Sequence, residues 1–314
     1  MDVLTLGRGD VERLLDRDAL VDALADAFAA LSDGRVDAPP RSQVTAPAGL
    51  LLAMPAHRPG GPIAVKLVSV FEGNAEHGLP SHLAIVALFD ERTGAPIALL
   101  DGTSITAART AGAAALSVRL VARPDSRVLA IIGAGVEARA HLSALPRVLA
   151  IEEIRIASLY PDEAVALAAD DPRARAVESI EEAVRGADIV ALCTSSPSPV
   201  IEASWIGRGT HVTSVGYRPP AGELPPALAT SAHLFVETRH AFEPPPVGCG
   251  ELAGLDPAAG TELGEVVLGR RSGRRDATEI TAYKAMGNAV EDLAAAALVY
   301  QRALADGAGL TIEL

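Results

Sequence analysis

Lysine is nearly missing from this sequence. Of the 27 lysines and arginines in 314 residues, only Lys66 and Lys284 are lysines, and arginine supplies the rest. Cysteine is as scarce: Cys193 and Cys249 have no metal-ligand spacing and are too few for a disulfide framework. No metal site is indicated, and a reducing cytoplasm fits that usage. Positive charge is also short. The net charge of −13 leaves no basic stripe for nucleic acid or an anionic membrane surface. No apolar run approaches the ~18 residues of a membrane span. The opening "MDVLTLGRGDVERLLD" has acids where a secretory signal needs an apolar core. A soluble cytoplasmic protein is expected, with no nucleic-acid or membrane partner.

What is present reads as a well-packed globular chain, 49% hydrophobic and 21% charged, and long enough for two domains. "DRDALVDALADAFAALSDG" places Leu20, Leu24, Phe28 and Leu31 on one helical face, with Gly34 as a stop. A Pro-interrupted connection and extended pieces follow, among them "HLAIVALFD" and "IALLD", joined by a turn as a hairpin. "TSITAARTAGAAALSVRLVAR" is an Ala-rich helix ending before Pro124. From Arg127 strand and helix alternate, the rhythm of a doubly wound parallel sheet. The stretch from Ala277 onward, "ATEITAYKAMGNAVEDLAAAALVYQRALADG", is expected to be helical.

Lys66 stands out. It sits in "GGPIAVKLVSVFEGN", whose apolar surroundings fit a strand buried on both faces. Lysine is among the residues least often found inside. Unlike arginine, a desolvated lysine can lose its proton, so arginine could not replace it in that role. The plain alternative is a lysine near a strand end with its charge in water. The strand alone leaves both readings open.

"VLAIIGAGVEARAHL" holds the most specific short signal. Gly133, Gly135 and Ala138 form G-x-G-x-x-A between a buried strand and a helix that opens at Val136. The first glycine permits a tight turn, the second a close backbone approach to a pyrophosphate, and the small third residue helix–strand packing. Dinucleotide binding follows. The group that selects NAD or NADP should lie roughly 20 residues on, at the next strand's end. There the sequence offers Ser158, Leu159 and Tyr160, neither an acid nor an arginine. Ser158 tolerates a 2′-phosphate better than aspartate would, which tips the reading slightly to NADP while leaving NAD open.

Taken together, "AVKLVSVF", "GLPSHLAIVALFDERTGAPIALLDGTSITAARTAG", "IIGAGVEARAH", "ELGEVVLG" and "EITAYKAMGNAVEDLAAA" resemble the ornithine cyclodeaminase/mu-crystallin family. The blocks agree in order and spacing from Arg41 to about Leu304. The resemblance implies an α/β fold: a Rossmann-type doubly wound parallel sheet plus a discontinuous α+β dimerisation and substrate domain. The latter is expected over residues 1–122 with 288–314, and the NAD(P)-binding Rossmann domain over 123–287. A homodimer is implied. So is a small amino or imino acid substrate, with Lys66 as the catalytic lysine and Arg41 and Arg109 on the α-carboxylate. A planar guanidinium suits a carboxylate, and a lysine of lowered pKa can move a proton during imine reduction or amine oxidation. Thr110, Thr194, Gly287 and Asn288 fall at positions that the resemblance places near the cofactor. Lys284 reads as structural or at the surface, and His82 as a hydrogen-bonded bystander or an acid–base group.

The resemblance breaks at two places. Cyclodeaminases carry an acid in the turn that here reads "VGYRPPAGEL", where Arg218 stands, and another at the position of Leu52. A guanidinium is no general base. Arg218 would repel a second ammonium and suit a carboxylate or carbonyl, so it joins the expected substrate-binding set, with Glu223 as a substitute acid. The expected function is an NAD(P)-dependent oxidoreductase that reduces a small α-imino acid or ketimine carboxylate, or oxidises the amino acid. The alternatives are ornithine cyclodeaminase, a lyase forming proline and ammonia, and a cofactor-binding protein with little turnover.

Overall fold

The computed structural model describes residues 1–313, which divide into two compact units. One unit comprises Met1–Arg109 and the chain from Gly287 onward, and the other is Thr110–Met286. The first unit opens with β1 (Asp2–Leu6), α1 (Arg8–Leu14) and α2 (Arg17–Ser32). Five strands follow: β2 (Ser42–Ala46), β3 (Gly49–His57), β4 (Ile63–Val70), β5 (His82–Phe89) and β6 (Pro96–Asp101). The division between units falls within α3 (Gly102–Val121), ahead of the boundary expected from sequence.

The second unit runs β7 (Val128–Ile132), α4 (Val136–Ala144), β8 (Glu153–Ala157), α5 (Pro161–Ala168), β9 (Ala174–Ala176) and α6 (Ile180–Val184). Its second half is β10 (Ile189–Leu192), β11 (His211–Ser214), α7 (Pro226–Ser231), β12 (His233–Val236), β13 (Gly260–Glu262), α8 (Leu263–Val267) and β14 (Thr281–Lys284). The first unit then resumes with α9 (Ala289–Asp306) and β15 (Leu310–Glu313).

In the first unit a seven-stranded mixed sheet has the order β15-β1-β6-β5-β4-β3-β2. The expected hairpin is present: β5 and β6 pair antiparallel. One sheet face is covered by α9, which packs on β3, β4 and β5 and against α2. Leu20, Leu24 and Phe28 of α2 are all buried, as their helical spacing predicts. The expectation that β4 is buried on both faces does not hold within this chain. Its burial alternates, with Ala64, Lys66 and Val68 on the covered face and Ile63, Val65 and Leu67 only partly covered. A period of two is what a half-covered strand shows.

The second unit is built on an eight-stranded sheet, β13-β12-β14-β11-β10-β7-β8-β9, in which every neighbouring pair is parallel. The chain leaves β7 to one side through β8 and β9, then returns to its other side with β10. In sheets of this kind, ligands are held beyond the C-terminal ends of the strands at such a reversal, here the end of β7.

The continuous helix expected from Ala277 is not observed. Residues 281–284 form the buried strand β14, between β11 and β12. Gly287 follows at φ +75°, a left-handed conformation that interrupts any helix. Asn288 then starts α9: its side chain accepts from Val290 N at 3.0 Å, and the Glu291 carboxylate accepts from Asn288 N at 2.5 Å. This reciprocal capping box marks a helix N-terminus inside a stretch whose Ala-rich composition is helical throughout.

Candidate functional site

In the first unit, a charged cluster lies where β4 faces the first turns of α9. Pairing of Met54 with Lys66 and of Leu52 with Val68 puts Leu52, Met54 and Lys66 on one face of the sheet. Lys66 is 1% exposed. Its Nζ donates to Asp292 Oδ1 at 2.8 Å. Arg109 Nε donates to the same oxygen at 3.1 Å, and Arg109 Nη1 to Glu291 Oε2 at 3.1 Å. Two cations thus share two carboxylates from adjacent positions of α9. Asp292 Oδ2 is buried and has no hydrogen-bond partner among the described residues.

The same turn gathers the other expected residues of this unit. Arg41 Nη2 donates to the Gly287 carbonyl at 2.6 Å. A Cβ at Gly287 would press on the Arg109 guanidinium, and the φ of +75° favours glycine there in any case. Arg41, Lys66, Arg109, Gly287 and Asn288, which span most of the sequence, therefore meet at one helix end. The burial of Lys66 pulls its pKa from 10.5 down to about 8. Arg109 adds to that shift, while Asp292 and Glu291 oppose it. A lysine so placed is half-protonated near pH 8 and can give or take a proton close to neutrality. His82 lies exposed at the start of β5, its Nδ1 3.0 Å from Ser81 Oγ.

In the second unit the turn after β7 fits a dinucleotide. Gly133 has φ +113°, and a Cβ there would lie 2.5 Å from the Cys193 carbonyl oxygen, so the turn admits only glycine. Gly135, the N-cap of α4, has open space where its Cβ would be, and no side chain caps the helix. The backbone is thus bare where a pyrophosphate would approach. Val136 begins α4 and is 65% exposed, while Ala138 is fully buried against the sheet. Thr194 follows β10 beside the turn, its Cγ2 within contact range of a Cβ at Gly133. Ser158 follows β8, its Oγ accepting from Tyr160 N at 3.2 Å. Thr110 is buried on α3.

Glu223 is not a substitute acid. It is fully buried. Oε2 accepts from Thr194 N and Thr194 Oγ1, both at 2.7 Å. Oε1 accepts from Ser214 Oγ at 3.0 Å, Val215 N at 3.0 Å and Gly216 N at 2.7 Å. Five donors make it a clamp that ties the ends of β10 and β11 together. Lys284 is no surface residue either. It is fully buried, 2.7 Å from Glu251 Oε2, and donates to Gly216 O at 2.6 Å and Ser214 Oγ at 3.1 Å. Arg218 is exposed in the same turn, between these anchors.

Sequence reasoning passed over Asp292 and Glu291, although both stand in the quoted motif "GNAVEDLAAA". The available signal was a pair of acids in a helix otherwise rich in alanine, which an N-terminal first turn explains equally well. Among the described residues, no helix is long and apolar enough to cross a membrane, and no group of three or more His, Cys, Asp or Glu is arranged for a metal.

A sequence model of the ornithine cyclodeaminase/mu-crystallin family matches residues 2–307. The chain is 32% identical over 321 residues to an alanine dehydrogenase of Archaeoglobus fulgidus, covering 100% of this chain and 99% of that one. It is 36% identical over 297 residues to the ketimine reductase mu-crystallin of Mus musculus, covering 92% and 93% of the two chains. The structure superposes with a TM-score of 0.92 on a Thermococcus litoralis Δ1-pyrroline-2-carboxylate reductase in complex with NADH and L-proline, at 33% identity over 99% of this chain and 100% of that one.

Proposed function

The chain belongs to the ornithine cyclodeaminase/mu-crystallin family, and from that premise we propose that it is an NAD(P)-dependent oxidoreductase. It reduces the C=N bond of a small α-imino acid or ketimine carboxylate, or oxidises the corresponding amino acid. The observation that carries this reading is the buried Lys66–Asp292 pair with Arg109 on the same carboxylate. The relatives named above act on substrates of this kind, which supports the choice of reaction.

In this reading Gly133, Gly135, Val136 and Ala138 form the phosphate cradle, with Ser158 at the ribose end and Thr110 and Thr194 completing the cofactor contacts of the second unit. When bound, the nicotinamide supplies or accepts a hydride at the substrate carbon. Arg41 and Arg109 clamp the carboxylate. The protonated Nζ of Lys66 gives its proton to the imine nitrogen during reduction and takes it back in the reverse direction. Asp292 keeps Nζ aimed and favours its charged form. Arg218 receives a polar or anionic part of the substrate.

The lyase alternative is weakened by three observations. Leu52 lies on the Lys66 face of the sheet, Arg218 is a cation, and Glu223 is consumed by five donors. No acid of these three positions is left to receive a second amine.

A cytoplasmic homodimer completes the reading. The sheet face opposite α9 carries Leu51 and Ile85, 42% and 50% exposed, next to the half-covered Val65 and Leu67. An apolar sheet face of this kind is suited to a second copy. The test of function is absorbance at 340 nm, with the purified chain, NADH or NADPH, and cyclic imine carboxylates or 2-oxo acids with ammonia or methylamine. Oxidation of the cofactor is expected. A flat trace with ammonia release from ornithine would overturn the reductase reading in favour of the lyase.

A further inference from the structure

We propose that the cofactor is NAD rather than NADP, selected by a surplus of carboxylates and a lack of available arginine beyond β8. The inference rests on the dinucleotide reading above, and it reverses the slight preference for NADP drawn from Ser158 alone.

The C-terminal ends of β8 and β9 lie side by side. Ile156 pairs with Ala176, and Val177 N donates to the Ile156 carbonyl at 3.0 Å. In a doubly wound sheet, the end of the strand after the glycine turn is where the adenosine ribose is read. Here that end carries Ser158, Leu159 and Tyr160, followed by Asp162 and Glu163 in the first turn of α5. Glu178 follows β9 at the same end of the sheet. A 2′-phosphate would bring nearly two negative charges to an end of the sheet where these three exposed carboxylates already stand.

Arginine would normally answer such a phosphate with a bidentate pair. The arginines of the surrounding elements are already engaged. Arg139 of α4 is paired with Asp170. Arg155 of β8 makes a two-pronged contact with Glu153, at 3.0 and 3.1 Å. Arg175 of β9 is paired with Glu153 and Glu182, and Arg173 with Asp171. Both described lysines are elsewhere, Lys66 in the first unit and Lys284 on β14.

What the surface does offer suits an uncharged ribose and an adenine. The Ser158 hydroxyl can meet ribose hydroxyls. Val136, Leu159 and Tyr160 are 65%, 83% and 62% exposed, giving apolar and aromatic area at the ends of two adjacent strands. Discrimination thus comes from repulsion of the extra phosphate rather than from an acid gripping the ribose.

The experiment is direct binding of NADH and NADPH to the full chain without substrate, followed by calorimetry at low and high salt. NADPH is expected to bind at least about tenfold more weakly at low salt, and the gap should narrow as salt screens the exposed carboxylates. A Leu159→Arg variant, altered at an exposed side chain, should shift the ratio of NADPH to NADH affinity toward NADPH by at least about tenfold. Equal or tighter NADPH binding by the unmodified chain would overturn the inference, and so would a Leu159→Arg variant with an unchanged ratio. If neither nucleotide binds, the dinucleotide reading itself falls.

Discussion

Lys66 Nζ lies 2.8 Å from Asp292 Oδ1, and both side chains are 1% exposed. The two residues belong to opposite ends of the chain, and their contact fixes a strand of the first half beneath the last long helix. Arg109 binds the same oxygen, so the charges of all three side chains are interdependent. The candidate chemistry of the first unit follows from that arrangement.

The pH dependence of turnover should report Lys66. Burial brings its pKa to about 8, so reduction, which needs the protonated amine, should slow as pH rises through about 8. Oxidation, which needs the neutral amine, should speed up over the same range. Lys66→Met should lower turnover by about 10²–10⁴-fold, the usual worth of a positioned proton donor, and leave NADH binding intact. Full activity in that variant would remove the lysine from the mechanism.

Asp292→Asn tests the partner. Asp292 raises the Lys66 pKa against the effect of burial, so the asparagine variant should move the break in the pH–rate profile to lower pH. Asp292→Ala should also destabilise the fold by about 3–5 kcal/mol, because it leaves buried charge uncompensated. Urea unfolding monitored alongside the pH–rate profile separates the two effects. An unmoved break in a folded Asp292→Asn variant would show that the carboxylate does not govern the lysine.

Gly133 and Gly135 should respond differently to substitution. Gly133→Ala meets both a φ of +113° and the Cys193 carbonyl, so loss of stability is expected first. Gly135→Val has open space and should fold, yet lose cofactor affinity by about a hundredfold, or ~2.7 kcal/mol. Thermal unfolding and NADH titration of both variants would check this. Normal affinity in Gly135→Val would place the pyrophosphate elsewhere.

The buried Lys284–Glu251 pair should be structural. Lys284→Met is expected to cost about 3–5 kcal/mol by stranding Glu251, and Lys284→Met with Glu251→Leu should recover part of that loss. Recovery in the double variant, measured by urea unfolding, would confirm that the penalty is an unpaired buried charge.

Acid should destabilise the second unit through His211. Burial holds this imidazole neutral, lowering its pKa from 6.5 to about 3, with Arg274 assisting. Its ring contacts Ser117 Oγ at 3.1 Å and Thr281 Oγ1 at 2.8 Å. The unfolded chain therefore binds one more proton than the folded chain between those pH values. Stability present above pH 6.5 is lost as pH falls toward 3, by about 1.4 kcal/mol per pH unit. In His211→Asn the unfolding free energy should fall less steeply with acid by one proton. An identical slope would show that His211 is already charged in the folded state.

Much of this protein was determined by local sequence alone. The glycine turn, its flanking strand and helix, and the spacing of Leu20, Leu24 and Phe28 are short-range patterns, because a strand-to-helix turn and an amphipathic face are properties of neighbouring residues. The unusual presence of lysine at 66 was equally plain. The tertiary structure alone decided that its ammonium is buried against a carboxylate and not in water. Register across β3, β4 and β5 set its face, and α9, more than two hundred residues later, supplied the carboxylate that permits a buried ammonium. The break between β14 and α9 was hidden for a related reason: alanine-rich composition favours helix throughout, and only sheet pairing with β11 and β12 claims residues 281–284 as a strand. Glu223 and Lys284 likewise revealed their roles only in three dimensions, where distant donors and acceptors converge on them. Local pattern dictates elements, while the pairing of buried charges depends on contacts that no window of sequence contains.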